Sequence, residues 1–419
     1  MPTCGGATIA DPFGCPLRLR TAASTGSLDL SLTLSFPLHG NTPNAPEEVR
    51  FCRFELPCGL PETGRYNLAE STVQSLRFGD LLDMADGGLN DLALDYGDPA
   101  GVPALRALLG QNCAVPAEAV VTFPGTMLGL FLLASEQCAG GGDALLVTPC
   151  FGPMRDALER AGASIRVCRL LFEEGYRADI ARIAEGLRPE TRLVCLADPQ
   201  NPSGVRIPRP ALQALLAEMA HRAPRAVLFL DETYREATHG GQAAPSAAPM
   251  DRRMVTAGSL SKAHGAPGLR IGWLTIVDPA LRHRIVEAKA TLIISGSVLD
   301  EMLATVLLRQ SEAVLAGRRC ALREALGAVV TWQGHEADRL DMVRPEAGAL
   351  CCLRLSPHRV DQAGVARFWA ALPREKLRLA PGPWFGETQR VFRLGFGHLP
   401  PDELEAALPA LSRALDHAA

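Results

Sequence analysis

The chain has 419 residues, 47% of them hydrophobic, and a formal net charge of −4. This length suits two domains or one large domain with a smaller partner, and the charge supplies no basic surface for nucleic acid. No apolar run reaches the roughly 20 residues that span a bilayer, so we expect a protein that binds neither membrane nor nucleic acid. The 12 cysteines lack zinc or disulfide spacing, which favours reduced thiols in a cytoplasm and no metal site.

Residues 1–48 are rich in Ser, Thr, Gly and Pro and show little helical period. We interpret them as a loosely ordered N-terminal extension, and an arm across a partner subunit is one form that it could take. The first residues lack the basic start and apolar core of a signal peptide. We therefore expect no export of the chain.

Helix-like and strand-like segments alternate from about Tyr96 onward. This alternation predicts an α/β fold whose mostly parallel sheet is covered by helices, and we assign it to a large domain of residues 90–298. The predicted strands are 143–147, 192–197, 226–231, 254–258 and 271–276, and the predicted helices are 103–110, 127–138 and 211–222. Sites in such sheets collect beyond the carboxyl ends of the strands.

The remaining segments predict a second, smaller α/β domain. We assign it residues 49–89 and 299–419. Its predicted elements are a long helix over 299–326, strands over 348–355 and 391–397, and a closing helix over 402–415. The chain segments before and after the large domain would therefore pack together.

Lys262 lies in a run that supplies hydroxyls, glycines and a cation. Ser259 and Ser261 flank it on one side, and Arg270 follows eight residues later. Hydroxyls and a guanidinium can hold a dianionic phosphate, while small residues let the backbone approach a flat ring. The run therefore predicts a Schiff base between Lys262 and the aldehyde of pyridoxal phosphate (PLP), against the alternative of an exposed lysine in a Gly/Pro loop.

Asp231 ends a wholly apolar strand and is followed by Tyr234. A carboxylate at a strand tip can pair with a protonated pyridine nitrogen and so keep the ring electron-withdrawing. Tyr234 could donate a hydrogen bond to the phenolic oxygen of the ring. The alternative for Asp231 is a helix cap.

Asn201 lies between two prolines at another strand end, so its backbone has few choices. A fixed amide can bond both the ring oxygen and a substrate carboxylate. Turn chemistry alone explains the prolines. It does not explain why this turn stands about thirty residues before Asp231, and Asp231 about thirty before Lys262.

Gly125, Thr126 and Met127 open a predicted helix directly after an apolar strand. Their free backbone N–H groups form a natural phosphate site at the positive end of that helix. Phe151 follows the next predicted strand, where its ring could stack on a pyridine; a core phenylalanine is the alternative.

Two further residues fit a substrate and a partner subunit. Arg393 is a charge inside an otherwise apolar strand, and a substrate α-carboxylate could pair with it bidentately, although an internal salt bridge would also satisfy it. Tyr96 begins the run Tyr-Gly-Asp-Pro-Ala-Gly, which by itself predicts a turn.

Together these motifs resemble the fold type I PLP-dependent enzymes, specifically the class I/II aminotransferases, over roughly residues 49–415. The matching motifs are Tyr-Gly-Asp-Pro-x-Gly at Tyr96, Asn-Pro-Ser-Gly at Asn201, Asp-x-x-Tyr at Asp231, Ser-x-Ser-Lys before Lys262 and Arg-Leu-Gly-Phe at Arg393. The resemblance implies a large domain with a mostly parallel sheet covered by helices, plus a smaller α/β domain, and PLP as the cofactor.

The resemblance also implies a role for each matching residue. Lys262 would form the Schiff base and then move the α-proton, and Asp231 would pair with the ring nitrogen. The phosphate would be held by Ser259, Arg270, Gly125 and Thr126, with Met127 beside them. Asn201 and Tyr234 would bond the phenolic oxygen, and Arg393 the substrate carboxylate. Tyr96 would reach the phosphate of the neighbouring subunit, which implies a homodimer.

The chain departs from the family pattern in two places. Pro124 removes one possible donor from the phosphate loop. Residues 290–297 contain no arginine for a second carboxylate, so aspartate and glutamate are not the expected donors. The run 64–71 resembles a subgroup related to capreomycidine synthases, which act on guanidinium amino acids; Glu70 would contact a polar or cationic side chain there, or be an ordinary small-domain carboxylate.

Three functions fit these residues. The first is transamination between an L-amino acid and a 2-oxo acid. The second is another PLP reaction, namely elimination, replacement or cyclisation of an amino acid in a biosynthetic pathway. The third is a sensor domain of a transcriptional regulator, for which the short, non-basic extension leaves no DNA-binding domain. Sequence does not separate the first two, because both begin with the same carbanion chemistry.

Overall fold

The computed structural model describes residues 64–418. The strands are β1 (Tyr66–Asn67), β2 (Val120–Pro124), β3 (Asp143–Thr148), β4 (Ser164–Arg169), β5 (Thr191–Ala197), β6 (Val227–Asp231), β7 (Met254–Ser259), β8 (Ile271–Ile276), β9 (Leu340–Val343), β10 (Leu350–Leu355), β11 (Leu377–Arg378), β12 (Ala380–Pro381) and β13 (Val391–Gly395). The helices are α1 (Phe78–Ala85), α2 (Pro103–Cys113), α3 (Thr126–Gln137), α4 (Gly152–Arg160), α5 (Ile180–Glu185), α6 (Arg209–Arg222), α7 (Pro279–Ile293), α8 (Val298–Arg309), α9 (Ser311–His335), α10 (Gln362–Ala371) and α11 (Pro401–Asp416). The expected extension over residues 1–48 and the start of the 49–89 segment lie outside the described residues.

A seven-stranded sheet runs through the first two thirds of the described chain. Its order is β2-β8-β7-β6-β5-β3-β4. The strands β7, β6, β5, β3 and β4 pair in parallel, and β8 is antiparallel to both of its neighbours. The expected mostly parallel sheet is confirmed.

Both faces of this sheet are buried. In β3, Ala144 and Leu146 pack into one apolar cluster with helices α3, α4 and α7, while Leu145 and Val147 pack into another with α5 and α6. Successive side chains of a strand point to opposite faces, so a parallel sheet covered on both sides needs the continuous apolar runs seen in β3, β5 and β6.

A four-stranded antiparallel sheet, β12-β13-β10-β9, is the second sheet against which helices pack. Its residues Leu353 and Leu394 pack with helices α9, α10 and α11 in one apolar cluster that also contains Leu68. Strand β1 joins this part of the chain through its parallel pairing with β11. Helix α1 differs, because its Leu81 packs with helices α2 and α8 against the edge of the larger sheet. The domain boundaries at 89/90 and 298/299 therefore stay a prediction.

One predicted element is wrong in extent. The helix expected over 299–326 is two helices, α8 and α9, separated at Gln310. Gln310 has φ −112° and ψ 16°, and its amide donates to the carbonyl of Leu307, so the last turn of α8 tightens and the chain leaves the helical path. Ser311, the next residue, donates to or accepts from His264 Nε2 at 2.9 Å, which ties the break to the lysine loop.

Among residues 64–418, no helix is both long enough and apolar enough to cross a membrane. Within the same range, no cluster of three or more His, Cys, Asp and Glu side chains could hold a metal ion.

Candidate active site

A cleft of about 470 Å³ opens at the carboxyl ends of the parallel strands. Residue Asp231 ends β6, Ser259 ends β7, and Asn201 follows β5 in the next turn. Parallel strands place these ends at one edge of the sheet. Expected site residues that line the cleft are Glu70, Gly125, Thr126, Met127, Phe151, Asn201, Asp231, Tyr234, Ser259, Lys262 and Arg270.

The amine of Lys262 faces this cleft and contacts the chain segment that follows β1. Its Nζ lies 3.2 Å from Oγ of Ser71 and 3.4 Å from Oε1 of Glu70. It also lies 5.9 Å from the centre of the Tyr234 ring. The side chain is 22% exposed, so a molecule in the cleft can reach the amine.

Glu70 is held as a carboxylate beside this amine. Burial opposes its ionisation, but the nearby Lys262, the amide of Ser71 and the guanidinium of Arg393 together lower the pKa of Glu70 below its usual value. The Ser71 amide donates to Oε1 at 2.8 Å. Glu70, which was expected to contact a substrate side chain, thus forms an ion pair with Lys262 in this structure.

Asp231 is buried at the base of the cleft. Both hydrogen bonds that it accepts, from the amide and the hydroxyl of Thr233, go to Oδ1. Burial raises the pKa of Asp231, and Lys262 only partly offsets this. A carboxylate in this position gains from a cation in the cleft, because that cation would restore its ionised form.

Asn201, Tyr234 and Arg393 form one buried hydrogen-bonded group. The Asn201 amide donates to the Tyr234 hydroxyl at 3.5 Å, and Arg393 Nη1 donates to Oδ1 of Asn201 at 3.0 Å. Arg393 Nη2 donates to the carbonyl of Ala69 at 2.6 Å, while its buried Nε has no partner among residues 64–418.

Arg393 is therefore a buried guanidinium whose hydrogen-bond acceptors are neutral oxygens. Burial lowers its pKa, with Tyr234 and Glu70 acting in the opposite direction. Its guanidinium also lies over the rings of Trp384 and Phe385, at 5.6 and 4.9 Å from their centres. Among residues 64–418 both acceptors of its hydrogen bonds are uncharged, and the unpartnered Nε suits an incoming carboxylate.

The N-terminus of α3 and the Lys262 loop form the opposite end of the cleft. Gly125 caps the helix at φ +94°, and a Cβ there would lie 2.6 Å from Nη2 of Arg270. A Cβ on Gly272 would lie 2.6 Å from the amide nitrogen of Thr126. The first-turn amides, the guanidinium and Ser259 thus converge where only glycine permits the approach, and this geometry suits a dianion.

Phe151 lines the cleft, and its ring packs against Trp384. Its ring meets the ring of Trp384 edge-on, with centres 5.8 Å apart. The Cys150 amide donates to the carbonyl of Phe385 at 3.1 Å, so the segment before β13 supports the residue that was expected to stack on a flat ring.

Two expected site residues do not line the cleft: Arg393 is buried against Asn201, and Tyr96 lies apart from the cleft. Its side chain is 82% exposed. The adjacent Gly97 amide donates to the hydroxyl of Ser295 at 3.3 Å, which holds this loop beside the segment between α7 and α8. Its expected role toward a neighbouring subunit stays a prediction.

The residues of the cleft fit PLP. The buried Asp231 carboxylate suits the pyridine nitrogen, and the accessible Lys262 amine suits the aldehyde. The N-terminus of α3 suits the phosphate, because Gly125 and Gly272 permit a close approach there.

Sequence reasoning missed four polar residues that line or border the cleft. These are Ser71, Thr72, Ser75 and His398. Thr72 and His398 share a hydrogen bond of 3.3 Å. Ser71 is the last residue of the run 64–71, but the contacts of Ser71 and Thr72 span more than 160 residues of sequence, so no local signal predicts those contacts.

Three relatives show which proteins this chain resembles. It is 30% identical over 357 residues to capreomycidine synthase of Streptomyces vinaceus, covering 83% of this chain and 89% of the relative. It is 30% identical over 304 residues to arginine–pyruvate transaminase AruH of Pseudomonas aeruginosa, covering 70% and 75%. Histidinol-phosphate aminotransferase 2 of Ralstonia nicotianae is 28% identical over 325 residues, covering 77% and 82%.

Solved structures share the fold. A PLP-dependent aminotransferase from Streptococcus suis superposes with a TM-score of 0.77 at 23% identity, covering 85% of this chain and 95% of that one. The PLP-dependent cyclase OrfR gives 0.76 at 24% identity, covering 86% and 94%. A family model described as aminotransferase class I and II matches residues 82–411. The chain therefore belongs to the class I and II aminotransferases, fold type I enzymes whose cofactor is PLP.

Proposed function

We propose that the chain is an aminotransferase that moves an amino group between an L-amino acid and a 2-oxo acid, with Lys262 as the central residue. The observation that carries this proposal is that the Lys262 amine and the buried Asp231 carboxylate face one cleft that has an anion site at its other end. Bound PLP supplies an electron sink for the α-carbon of an amino acid.

The described residues divide the binding of this cofactor among them. Ser259, Arg270, Gly125 and Thr126 hold the phosphate, with the amide of Met127 beside them. Asp231 keeps the ring nitrogen protonated, because a paired cation offsets the cost of its own burial. Asn201 and Tyr234 bond the phenolic oxygen, and Phe151 covers the ring.

Substrate binding and proton movement fall to Arg393 and Lys262. Arg393 orients the substrate through its carboxylate, supported by the amide of Asn201. Lys262, once released from the cofactor, is the base that takes the α-proton and returns it. Its amine is close enough to Ser71 and Glu70 to be held in place while it does so.

A homodimer completes the proposed site. Tyr96 would reach the phosphate of the neighbouring subunit, which agrees with its exposure. Size-exclusion chromatography with light scattering should give a dimer, and Tyr96→Phe should weaken retention of PLP while the dimer persists. A monomer with full turnover would contradict this part of the proposal. The expected cytoplasmic location stays a prediction.

Elimination, replacement or cyclisation is the alternative, and Glu70 favours it. A carboxylate 3.4 Å from the lysine amine could serve as a second acid or base at the substrate's β- or γ-carbon. Capreomycidine synthase and the cyclase OrfR are among the proteins that this chain resembles. Both reactions use the same cofactor and the same first proton removal.

One experiment separates the two functions. A panel of amino acids, including arginine, is added to the PLP-loaded protein without any 2-oxo acid, and the absorption spectrum is followed. Conversion of the cofactor to its pyridoxamine form supports transamination and identifies the donor. Release of ammonia, water or a cyclic product with the cofactor regenerated supports the alternative. No change with any amino acid would contradict both.

A further inference from the structure

Ser71 contacts the side chains of both Lys262 and Tyr234, which are expected site residues. Its side chain is 1% exposed. Its Oγ lies 2.8 Å from the Tyr234 hydroxyl and 3.2 Å from Nζ of Lys262. Ser71 ends the run 64–71, and the proposed function uses only its contact with Lys262, not its contact with Tyr234.

The donors present fix the direction of one of these hydrogen bonds. A protonated Lys262 can only donate, so Oγ of Ser71 accepts from it. Between Ser71 and Tyr234 either hydroxyl can donate to the other. The Asn201 amide also donates to the Tyr234 hydroxyl, so the Tyr234 oxygen is held from two sides.

We infer that Ser71 is a positioning residue, one that orients the Lys262 amine and the Tyr234 phenol at the same time. This inference rests on the proposed function of the cleft. The hydroxyl accepts from the amine when Lys262 is protonated, and it can rotate to donate when the amine is neutral. The Ser71 backbone amide donates a hydrogen bond of 2.8 Å to the Glu70 carboxylate, so the point from which the Ser71 side chain extends is fixed.

A merely structural serine would behave differently. Both partners of the Ser71 hydroxyl are cleft-lining groups. Loss of the hydroxyl would remove one of the contacts that orient the Lys262 amine, so the reaction of that amine with PLP would slow. A residue that only fills space would leave the rate of that reaction unchanged.

The test compares Ser71→Ala, Ser71→Thr and the control Ser75→Ala. Ser75 lines the same cleft and is exposed, and Ser75→Ala leaves the Ser71 contacts with Lys262 and Tyr234 intact. The first readout uses cofactor-free protein: the rate at which added PLP forms its absorbance band is measured, which reports the reaction of the Lys262 amine. The second readout is kcat and KM with the best amino donor.

We expect Ser71→Ala to lower the loading rate about 10-fold, the scale of one hydrogen bond to a charged group. Its kcat should fall roughly 10-fold to 100-fold with KM nearly unchanged. Ser71→Thr, which keeps the hydroxyl, and Ser75→Ala should both resemble the unmodified protein. Should Ser71→Ala fail to fold, Ser71→Cys, a weak acceptor of similar size, takes its place.

An unchanged loading rate in Ser71→Ala, or a fall equal to that of Ser75→Ala, would overturn the inference. Failure of the proposed function looks different, because the unmodified protein itself would then form no band with PLP or turn over no amino acid. If the unmodified protein loads PLP and reacts while Ser71→Ala matches it, only the role of Ser71 is lost.

Discussion

Arg393 donates a hydrogen bond of 3.0 Å to Oδ1 of Asn201, although 192 residues separate them in the chain. The contact joins strand β13 of the four-stranded sheet to the turn after β5 of the seven-stranded sheet. Arg393, which is expected to bind the substrate carboxylate, is therefore positioned by Asn201, which is expected to bind both the cofactor and the substrate.

Replacing Arg393 should impair substrate use more than cofactor loading. Arg393→Lys keeps the charge but loses the planar fork, and we expect kcat/KM to fall about 100-fold or more. PLP absorbance should persist. Steady-state kinetics and a PLP titration measure the two effects, with Arg354→Lys on the neighbouring strand β10 as the control. A variant with normal kcat/KM would contradict the assigned role.

Removing the Asp231 carboxylate should separate cofactor binding from chemistry. Asp231→Ala leaves the phosphate end intact, so some PLP should remain bound. Turnover should fall about 100-fold to 1,000-fold, because the ring would lose its charged partner. Thr233→Ala, which removes only a donor to Oδ1, is the matched control. Near-normal rates in Asp231→Ala would show that this carboxylate does not act on the ring.

Glu70 should influence which side chain the enzyme accepts. If its carboxylate contacts a cationic side chain, Glu70→Gln should lower the preference for arginine over a neutral donor roughly tenfold. The ratio of kcat/KM values for arginine and norleucine measures this preference. Unchanged selectivity would leave Glu70 as an ordinary carboxylate beside Lys262.

Local sequence pattern predicted much of this arrangement. Asp231 and Ser259 each end an apolar strand, and the strands were recognisable because both faces of the sheet are buried. Parallel pairing then brings their ends together without any further information. Gly125 was predictable for a similar reason, since a helix begins directly after strand β2.

Long-range contacts were beyond the reach of pattern. Ser71 meets Lys262 and Tyr234 across 191 and 163 residues, and its own segment carries no periodic signal. The break at Gln310 was missed because apolar residues continue on both sides of it. The ion pair between Glu70 and Lys262 likewise depends on how strand β1 pairs with β11.

Lys289 should make stability depend on pH. It is fully buried, and burial lowers its pKa to about 8, although Glu301 opposes this. An unfolded lysine titrates near pH 10.4, so the unfolded chain binds more protons between these two values. The free energy of unfolding should therefore rise with pH across this window.

Lys289→Met removes this titration. Urea denaturation from neutral pH to about pH 10 should show the wild-type gaining on the order of 3 kcal/mol relative to Lys289→Met. Buried cysteines titrate in both proteins and cancel in the difference. Parallel stability curves would show that Lys289 keeps its ordinary pKa.

The central claim is that PLP is bound covalently through Lys262. The chain has only three lysines, Lys262, Lys289 and Lys376, so borohydride reduction of the PLP-loaded protein followed by peptide mass spectrometry gives an unambiguous assignment. We predict one modified peptide, containing Lys262, and no cofactor absorbance or turnover in Lys262→Ala, while Lys376→Arg loads normally. Modification of Lys289 or Lys376, or a Lys262→Ala variant that keeps its absorbance band and its turnover, would contradict the account.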